Sequence, residues 1–150
     1  MANTYTKLLY HIIFSTKRRE PLISRGLRDD LYSYIGGILR ARKGLLVEIG
    51  GMPDHVHLAI RIRPDVSVAE IVRLVKANSS KWVNERPDAR GRFTWQEGYA
   101  AFSVSASQLP GVCRYLQSQE DHHRTKTFQE EYVEFLRRHD MEFDESHLWD

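Results

Sequence analysis

The chain has one cysteine, five prolines and no apolar run long enough to cross a bilayer. Each shortage excludes something. A lone Cys113 rules out an internal disulfide framework and reads as a small hydrophobe rather than a nucleophile. The longest apolar runs, such as Leu8–Leu9 and Ile12–Phe14, are broken by Tyr and His. They fall far short of the roughly 20 residues that a membrane helix needs, so no membrane partner is expected. The N-terminus, Met-Ala-Asn-Thr-Tyr-Thr-Lys, has no apolar signal segment, and a cytoplasmic protein is expected. Low-complexity tracts, repeats and linkers are missing. The 150 residues, 41% hydrophobic and 28% charged, therefore read as one domain, 1–150, with a real core.

A large net charge is also lacking: the balance is +2. It conceals an asymmetry, because residues 1–100 hold 17 Lys+Arg against 10 Asp+Glu, and residues 101–150 hold 5 against 10. This polarity predicts a basic face for a polyanion and an acidic C-terminal segment lying away from it.

Periodicity supplies the elements. Tyr5–Ser15 is rich in β-branched and aromatic residues and reads as a first strand. Ser24 to Arg42 carries Leu27, Leu31, Tyr34, Ile35, Ile38 and Leu39 at helical spacing, with Gly44 as a stop signal. Leu45–Ile49 and His55–Ile62 form two strands around the turn Gly50-Gly51-Met52-Pro53-Asp54. Ser67, with Glu70 three residues on, starts a helix running to about Glu85. Tyr99–Val104 is a fourth strand, a helix covers about 112–123, an acidic helix covers Phe128–Arg138, and the tail 141–150 looks loosely packed. The order predicts an α+β fold: a ferredoxin-like antiparallel sheet with helices packed on one face, plus C-terminal helices.

His55 and His57 lie two apart on a strand, so they share a face while Val56 points the other way. Their backbones stand roughly 7 Å apart, close enough for two imidazoles to reach one metal ion. With seven His in the chain, an accidental His-x-His is expected roughly a third of the time, so the pair needs a partner. The helix near 112–123 offers one: Tyr115, Gln119 and His122 are spaced to share a face. Gln119 can give a neutral oxygen ligand while Tyr115 presents its phenol to the same place.

The string Gly51-Met52-Pro53-Asp54-His55-Val56-His57-Leu58 resembles the signature of the HUH single-strand DNA transposases, the insertion-sequence-200-like group. The opening Leu9-Tyr10-His11-Ile12-Ile13-Phe14-Ser15-Thr16-Lys17-Arg18 and the stretches from Trp95 and from Tyr115 resemble that family too, in order and spacing. The resemblance implies that His55 and His57 are metal ligands, Tyr115 the nucleophile and Gln119 the third ligand. Glu120, His122 and His123 stand as alternatives for that third place. It further implies cleavage and rejoining of single-stranded DNA at hairpin-bearing element ends through a 5′-phosphotyrosine, with Mg²⁺ or Mn²⁺, by a homodimer. Whether Tyr115 serves its own histidines or a partner's is open.

Lys17, Arg18, Arg19, Arg61, Arg63, Arg73, Lys76, Lys81, Arg86, Arg90 and Arg92 are candidates for phosphate contact, which gives affinity and salt dependence but no sequence information. Tyr99, Phe93 and Trp95 can stack on bases, although core packing suits at least two of them better. Two other readings share this fold: a host-retained relative acting on repeated chromosomal hairpins, and a regulator that binds nucleic acid without cutting it.

Overall fold

Branched and aromatic residues drive Leu8–Ser15 into strand β1, and the computed structural model, which describes residues 3–89 and 91–149, builds the rest around it. In chain order follow α1 (Arg25–Ala41), β2 (Leu45–Met52), β3 (His55–Ile62), α2 (Val68–Asn84), β4 (Ala100–Val104), α3 (Leu109–Gln117), α4 (Gln119–His122) and α5 (Phe128–Arg138). Short 3₁₀ turns cover Lys17–Arg19 and Glu145–His147. Three helices start where the sequence provides a cap: Ser24, Ser67 and Thr127 accept from the backbone N–H groups of Leu27, Glu70 and Glu130.

The sheet runs β2-β3-β1-β4 with every neighbouring pair antiparallel, the expected ferredoxin-like order. Alternation along the strands divides its faces. Ile12, Phe14, Val56, Leu58, Ile60 and Ile62 point to one face, where they meet Leu31, Ile35 and Leu39 of α1 and Ile71, Val72 and Val75 of α2. Each such buried side chain contributes roughly 1.5–3 kcal/mol. The second face carries Ile13, Ala100 and Phe102, which pack against Phe128, Tyr132 and Leu136 of α5. Ile13 is the register partner of His57 and Ser15 of His55, so both histidines stand on this second face, at one end of a central strand. No helix among the described residues is long and apolar enough to cross a membrane.

Several boundaries differ from the sequence expectation. β2 continues through Gly50 and Gly51 to Met52, leaving only Pro53 and Asp54 as the turn. The single helix expected over 112–123 begins at Leu109 with Pro110 in its first turn, then breaks at Ser118. There the Ser118 hydroxyl donates to the carbonyls of Arg114 (2.9 Å) and Tyr115 (3.2 Å), competing with helix continuation.

The tail is not loose. Phe143, Leu148 and Trp149 pack on the second core, and the Trp149 ring lies 5.7 Å from Tyr132 and 6.1 Å from Phe128. Nor does the acidic C-terminal segment lie away from the histidine pair. The apolar stripe of α5 can be buried only against the sheet, and that face holds the histidines.

Candidate active site

His55 and His57 are fully buried, with ring centroids 5.2 Å apart. Each is oriented through the ring nitrogen turned away from the site. His55 Nδ1 lies 2.8 Å from Asp54 Oδ1, and His57 Nδ1 lies 2.8 Å from Nε2 of His11 on β1. A carboxylate or imidazole behind a ligating histidine sets its tautomer and aims its other nitrogen. Here the Nε2 atoms aim at one small space.

Four side chains from α3, α4, α5 and the turn after α4 converge on that space. The central one is Glu131 of α5, which is 1% exposed. Its Oε1 lies 2.8 Å from His57 Nε2, 3.4 Å from His55 Nε2 and 3.2 Å from His123 Nε2. Gln119 Oε1 lies 3.1 Å from His55 Nε2, and the Gln119 amide donates to Glu131 Oε2 at 3.3 Å. Tyr115 is half-buried, and its hydroxyl donates to the same Oε2. The Tyr115 ring is 5.8 Å from that of His57 in the same chain, and stacks on His122 at 4.3 Å.

This burial and charge shape the titration of the site. Burial pushes His11 down to about 3, helped by the charge of neighbouring His57. Burial likewise holds His57 down at about 4, against the pull of Glu131. Burial opposes the charge of His55 too, but hydrogen bonds and charges from Asp54 and Glu131 outweigh it and raise His55 to about 9. Glu131 is held far below the ordinary carboxylate range: burial works against its charge, but hydrogen bonds from His123, His55 and His57 prevail. Tyr115 is pushed well above the ordinary phenol value by burial, then by the Glu131 carboxylate.

Ligand atoms of His55, His57 and Glu131 all lie within 4.8 Å of one another. Around an ion with bonds of roughly 2.1 Å, donor atoms stand about 3–3.4 Å apart. The 3.4 Å between Glu131 Oε1 and His55 Nε2 matches that spacing, while the 2.8 Å to His57 Nε2 is a direct hydrogen bond that would lengthen slightly around an ion. Two imidazoles with a carboxylate and an amide oxygen make a donor set for Mn²⁺ or a similar divalent ion.

The structure brings together His55, His57, Tyr115 and Gln119, with His123 beside them. Glu120 is exposed and faces Arg28 at 3.7 Å, while His122 lies against the Tyr115 ring and bonds Ser118. Sequence reasoning missed Glu131, His11 and the orienting role of Asp54. Glu131 carried one readable signal: it falls on the apolar stripe Phe128, Tyr132, Phe135, Leu136, where a solvated glutamate has no place.

The basic candidates separate. Lys17, Arg18 and Arg19 follow β1 directly, at the end of the sheet that holds His55. Arg19 joins Arg124 and Lys126 in lining an open groove of about 660 Å³ that reaches Asp54 and His123. Arg61 donates to Thr6 O at the far end of β3, and Arg63 pairs with Asp65. Arg73 pairs with Glu70, and Arg86 pairs with Asp30 and Asp88 over the Trp82 ring. These two and exposed Lys81 belong to the α2 side, which the sheet separates from the site. Arg92 is exposed, and Arg90 lies outside the described residues. Lys76 turns inward, donating to the carbonyls of Gln96 (2.8 Å), Glu97 (3.1 Å) and Gly98 (2.6 Å); burial lowers its pKa to about 8. Phe93 and Trp95 are core residues, and only Tyr99 of that trio is exposed.

A search of curated proteins finds the ISDra2 transposase TnpA of Deinococcus radiodurans, 26% identical over 121 residues, covering 77% of this chain and 86% of the relative. Among solved structures, one described as a transposase from Deinococcus radiodurans superposes with a TM-score of 0.61 at 25% identity, covering 79% of this chain and 95% of that one. A REP-associated tyrosine transposase bound to a REP hairpin also gives a TM-score of 0.61, covering 82% of this chain and 73% of that one; at 15% identity it shows likeness of fold. The family profile described as "Transposase IS200 like" matches residues 4–119, a span that closes on Gln119 and stops short of α5. On that match, reaching from before β1 through Tyr115, the chain belongs to the IS200-like transposase family.

Proposed function

We propose that this chain cleaves and rejoins single-stranded DNA at hairpin-bearing element ends, with Tyr115 as nucleophile. The convergence of Tyr115, His55, His57, Gln119 and Glu131 on one buried space, in a chain of this family, carries the reading. The phenol oxygen attacks the scissile phosphorus, the bond to the 3′ oxygen breaks, and a 5′-phosphotyrosine and a free 3′-OH result. The hydrogen bond to Glu131 Oε2 orients the phenol, whose proton ends on the departing 3′ oxygen as the free 3′-OH. The phosphotyrosine keeps the bond energy, so a second 3′-OH can displace the tyrosine without ATP.

A divalent cation, Mg²⁺ or Mn²⁺, would be held by His55 and His57 with an oxygen from Gln119, Glu131 or both. When bound it supplies neutralisation of the scissile phosphate and of the departing 3′ oxygen. Lys17, Arg18 and Arg19 would hold the strand near the site by its phosphates. A homodimer would bring two DNA ends together for exchange.

A second reading keeps the chemistry and changes the DNA: repeated chromosomal hairpins in place of element ends. The shared fold with a hairpin-bound transposase favours keeping it. DNA flanking the gene separates the two, because hairpin-bearing ends argue for a mobile element.

The test is a covalent adduct between the protein and a labelled single-stranded hairpin oligonucleotide, with and without Mn²⁺. Tyr115→Phe is expected to fold and to form no adduct. Adducts from the Phe variant would remove Tyr115 as nucleophile. Hairpin binding with no adduct from the wild type would favour a regulator that does not cut.

A further inference from the structure

The Tyr115 ring borders a second space besides the one it shares with the histidine pair. Between β4, α3 and α5 lies an open pocket of about 370 Å³, within the range of roughly 300–1,000 Å³ typical of small-molecule sites. Buried His11 and Phe102 form its floor, half-buried Tyr115 and Phe135 its walls, and exposed His139 part of its rim. His11 also bonds His57, so one side chain links the two spaces.

The pocket is walled by ring faces. His139 stacks on Phe102 at 4.0 Å and 20°, held there by its Nδ1, which donates to the Phe135 carbonyl at 2.9 Å. Phe135 lies 22° from parallel with Phe102, while Tyr115 and His11 meet Phe135 edge-on at 79° and 86°. Flat faces in two orientations suit a flat ligand. The charges suit a neutral one: among the pocket's described lining residues Arg138 is the only Lys or Arg, and it already pairs with Glu134 at 2.7 Å. At the mouth, exposed Ser103 and Gln108 carry a hydroxyl and an amide that can bond to a ligand's polar edge. Those three properties together describe a nucleobase.

We propose that this pocket takes one unpaired base of the bound strand, adjacent to the phosphate that Tyr115 attacks. This placement rests on Tyr115 being the nucleophile. Because the Tyr115 ring is one of the walls, a strand that presents a phosphate to the phenol oxygen carries its neighbouring base to the mouth. Stacking holds any base by its face, and edge contacts from Ser103 and Gln108 favour one base over another at this position.

The test moves 2-aminopurine, whose fluorescence falls when it stacks, through each position of the single-stranded flank of a hairpin oligonucleotide. Tyr115→Phe is used, so that the strand stays whole while a ring remains in the wall. One position is expected to be quenched on binding, and an abasic site there to lower affinity about five- to a hundredfold. Mapping the adduct formed by the wild type should put that position next to the scissile phosphate.

Gly111 gives a way to close the pocket. It lines the mouth one helical turn before Tyr115, and a Cβ built there meets only the flexible Arg114 guanidinium, at 3.7 Å. Gly111→Phe, added to Tyr115→Phe, is expected to abolish the quenching and to make abasic and intact strands bind equally. His139→Ala, which removes a rim ring without touching α3, should weaken both signals. No quenched position, or quenching that survives in both variants, overturns the proposal. So does a quenched position several nucleotides from the mapped cleavage site. Quenching as expected with no adduct from the wild type would instead bring down the nucleophile reading alone.

Discussion

Tyr115 and Glu131 share a hydrogen bond through Glu131 Oε2, while the other oxygen of that carboxylate lies 2.8 Å from His57 Nε2. One side chain thus ties Tyr115 to the histidine pair. Glu131→Gln keeps the shape and removes the charge. It is expected to weaken Mn²⁺ binding at least about tenfold, the scale of losses around metal sites. Calorimetric titration with Mn²⁺ measures this, and wild-type affinity in the variant would take Glu131 out of the ligand set.

The buried histidines set a pH dependence of stability in the absence of added divalent ions. His11 and His57 titrate at about 3 and about 4 in the native state, against 6.5 in the unfolded chain. Between these values the unfolded chain binds protons that the native protein does not. Their contribution is therefore full above about 6.5 and declines as pH falls toward 4. His55 works the other way. Raised to about 9, it contributes fully below 6.5 and loses that contribution as pH rises through 9. Urea midpoints should peak near pH 6.5 and decline on both sides; a midpoint flat between pH 5 and 9 would contradict this assignment.

Basic residues should divide into those that touch DNA and those that hold the fold. Replacing Lys17 and Arg18 together by Ala is expected to reduce the slope of log affinity against log salt by about 1.4, or 0.7 for each single-strand phosphate contact. Lys76→Met is expected to leave that slope alone. It should instead lower stability by about 2 kcal/mol, through the lost charged hydrogen bonds to three carbonyls. Binding isotherms across a salt series, with urea melts beside them, read both effects.

Trp149 closes the second core over Phe128, whose ring lies 4.4 Å from His55. Trp149→Ala should cost about 1–2 kcal/mol, less than the roughly 3–5 of a fully buried aromatic, because Trp149 is only half-buried. Equilibrium urea unfolding checks the figure, and an unchanged midpoint would mean that the tail contributes nothing to the core.

The sheet was legible because a strand facing an apolar core must repeat its apolar residues with period two, and Val56, Leu58, Ile60 and Ile62 do so in β3 although the structure buries both of its faces. His55, His57 and the Tyr115–Gln119 pair were legible as spacings whose joint occurrence matched one family. The break at Ser118 was not, since a hydroxyl returning to the carbonyls one turn back leaves helical periodicity untouched. Gly50 and Gly51 read as a turn because glycine is the usual turn residue. Their actual place in β2 goes with close backbone approaches, of α3 to Gly50 and of His55 and Val56 on β3 to Gly51, which local propensity cannot register. Glu131 was hidden among Glu130 and Glu134, and only its phase on the helix distinguished it.

β3 acts as a partition whose two sides hold opposite solvents. Val56, Leu58 and Ile60 line an interior of hydrocarbon, and His55 and His57 line one of nitrogen and oxygen. A period-two partition has no graded error, because a shift by one residue exchanges every side chain at once. The Pro53-Asp54 turn is therefore a ruler. Shortening or lengthening it by a single residue would drive the histidines into the oil and the valine into the space beside Glu131 and Gln119, even though the protein's composition would be almost unchanged.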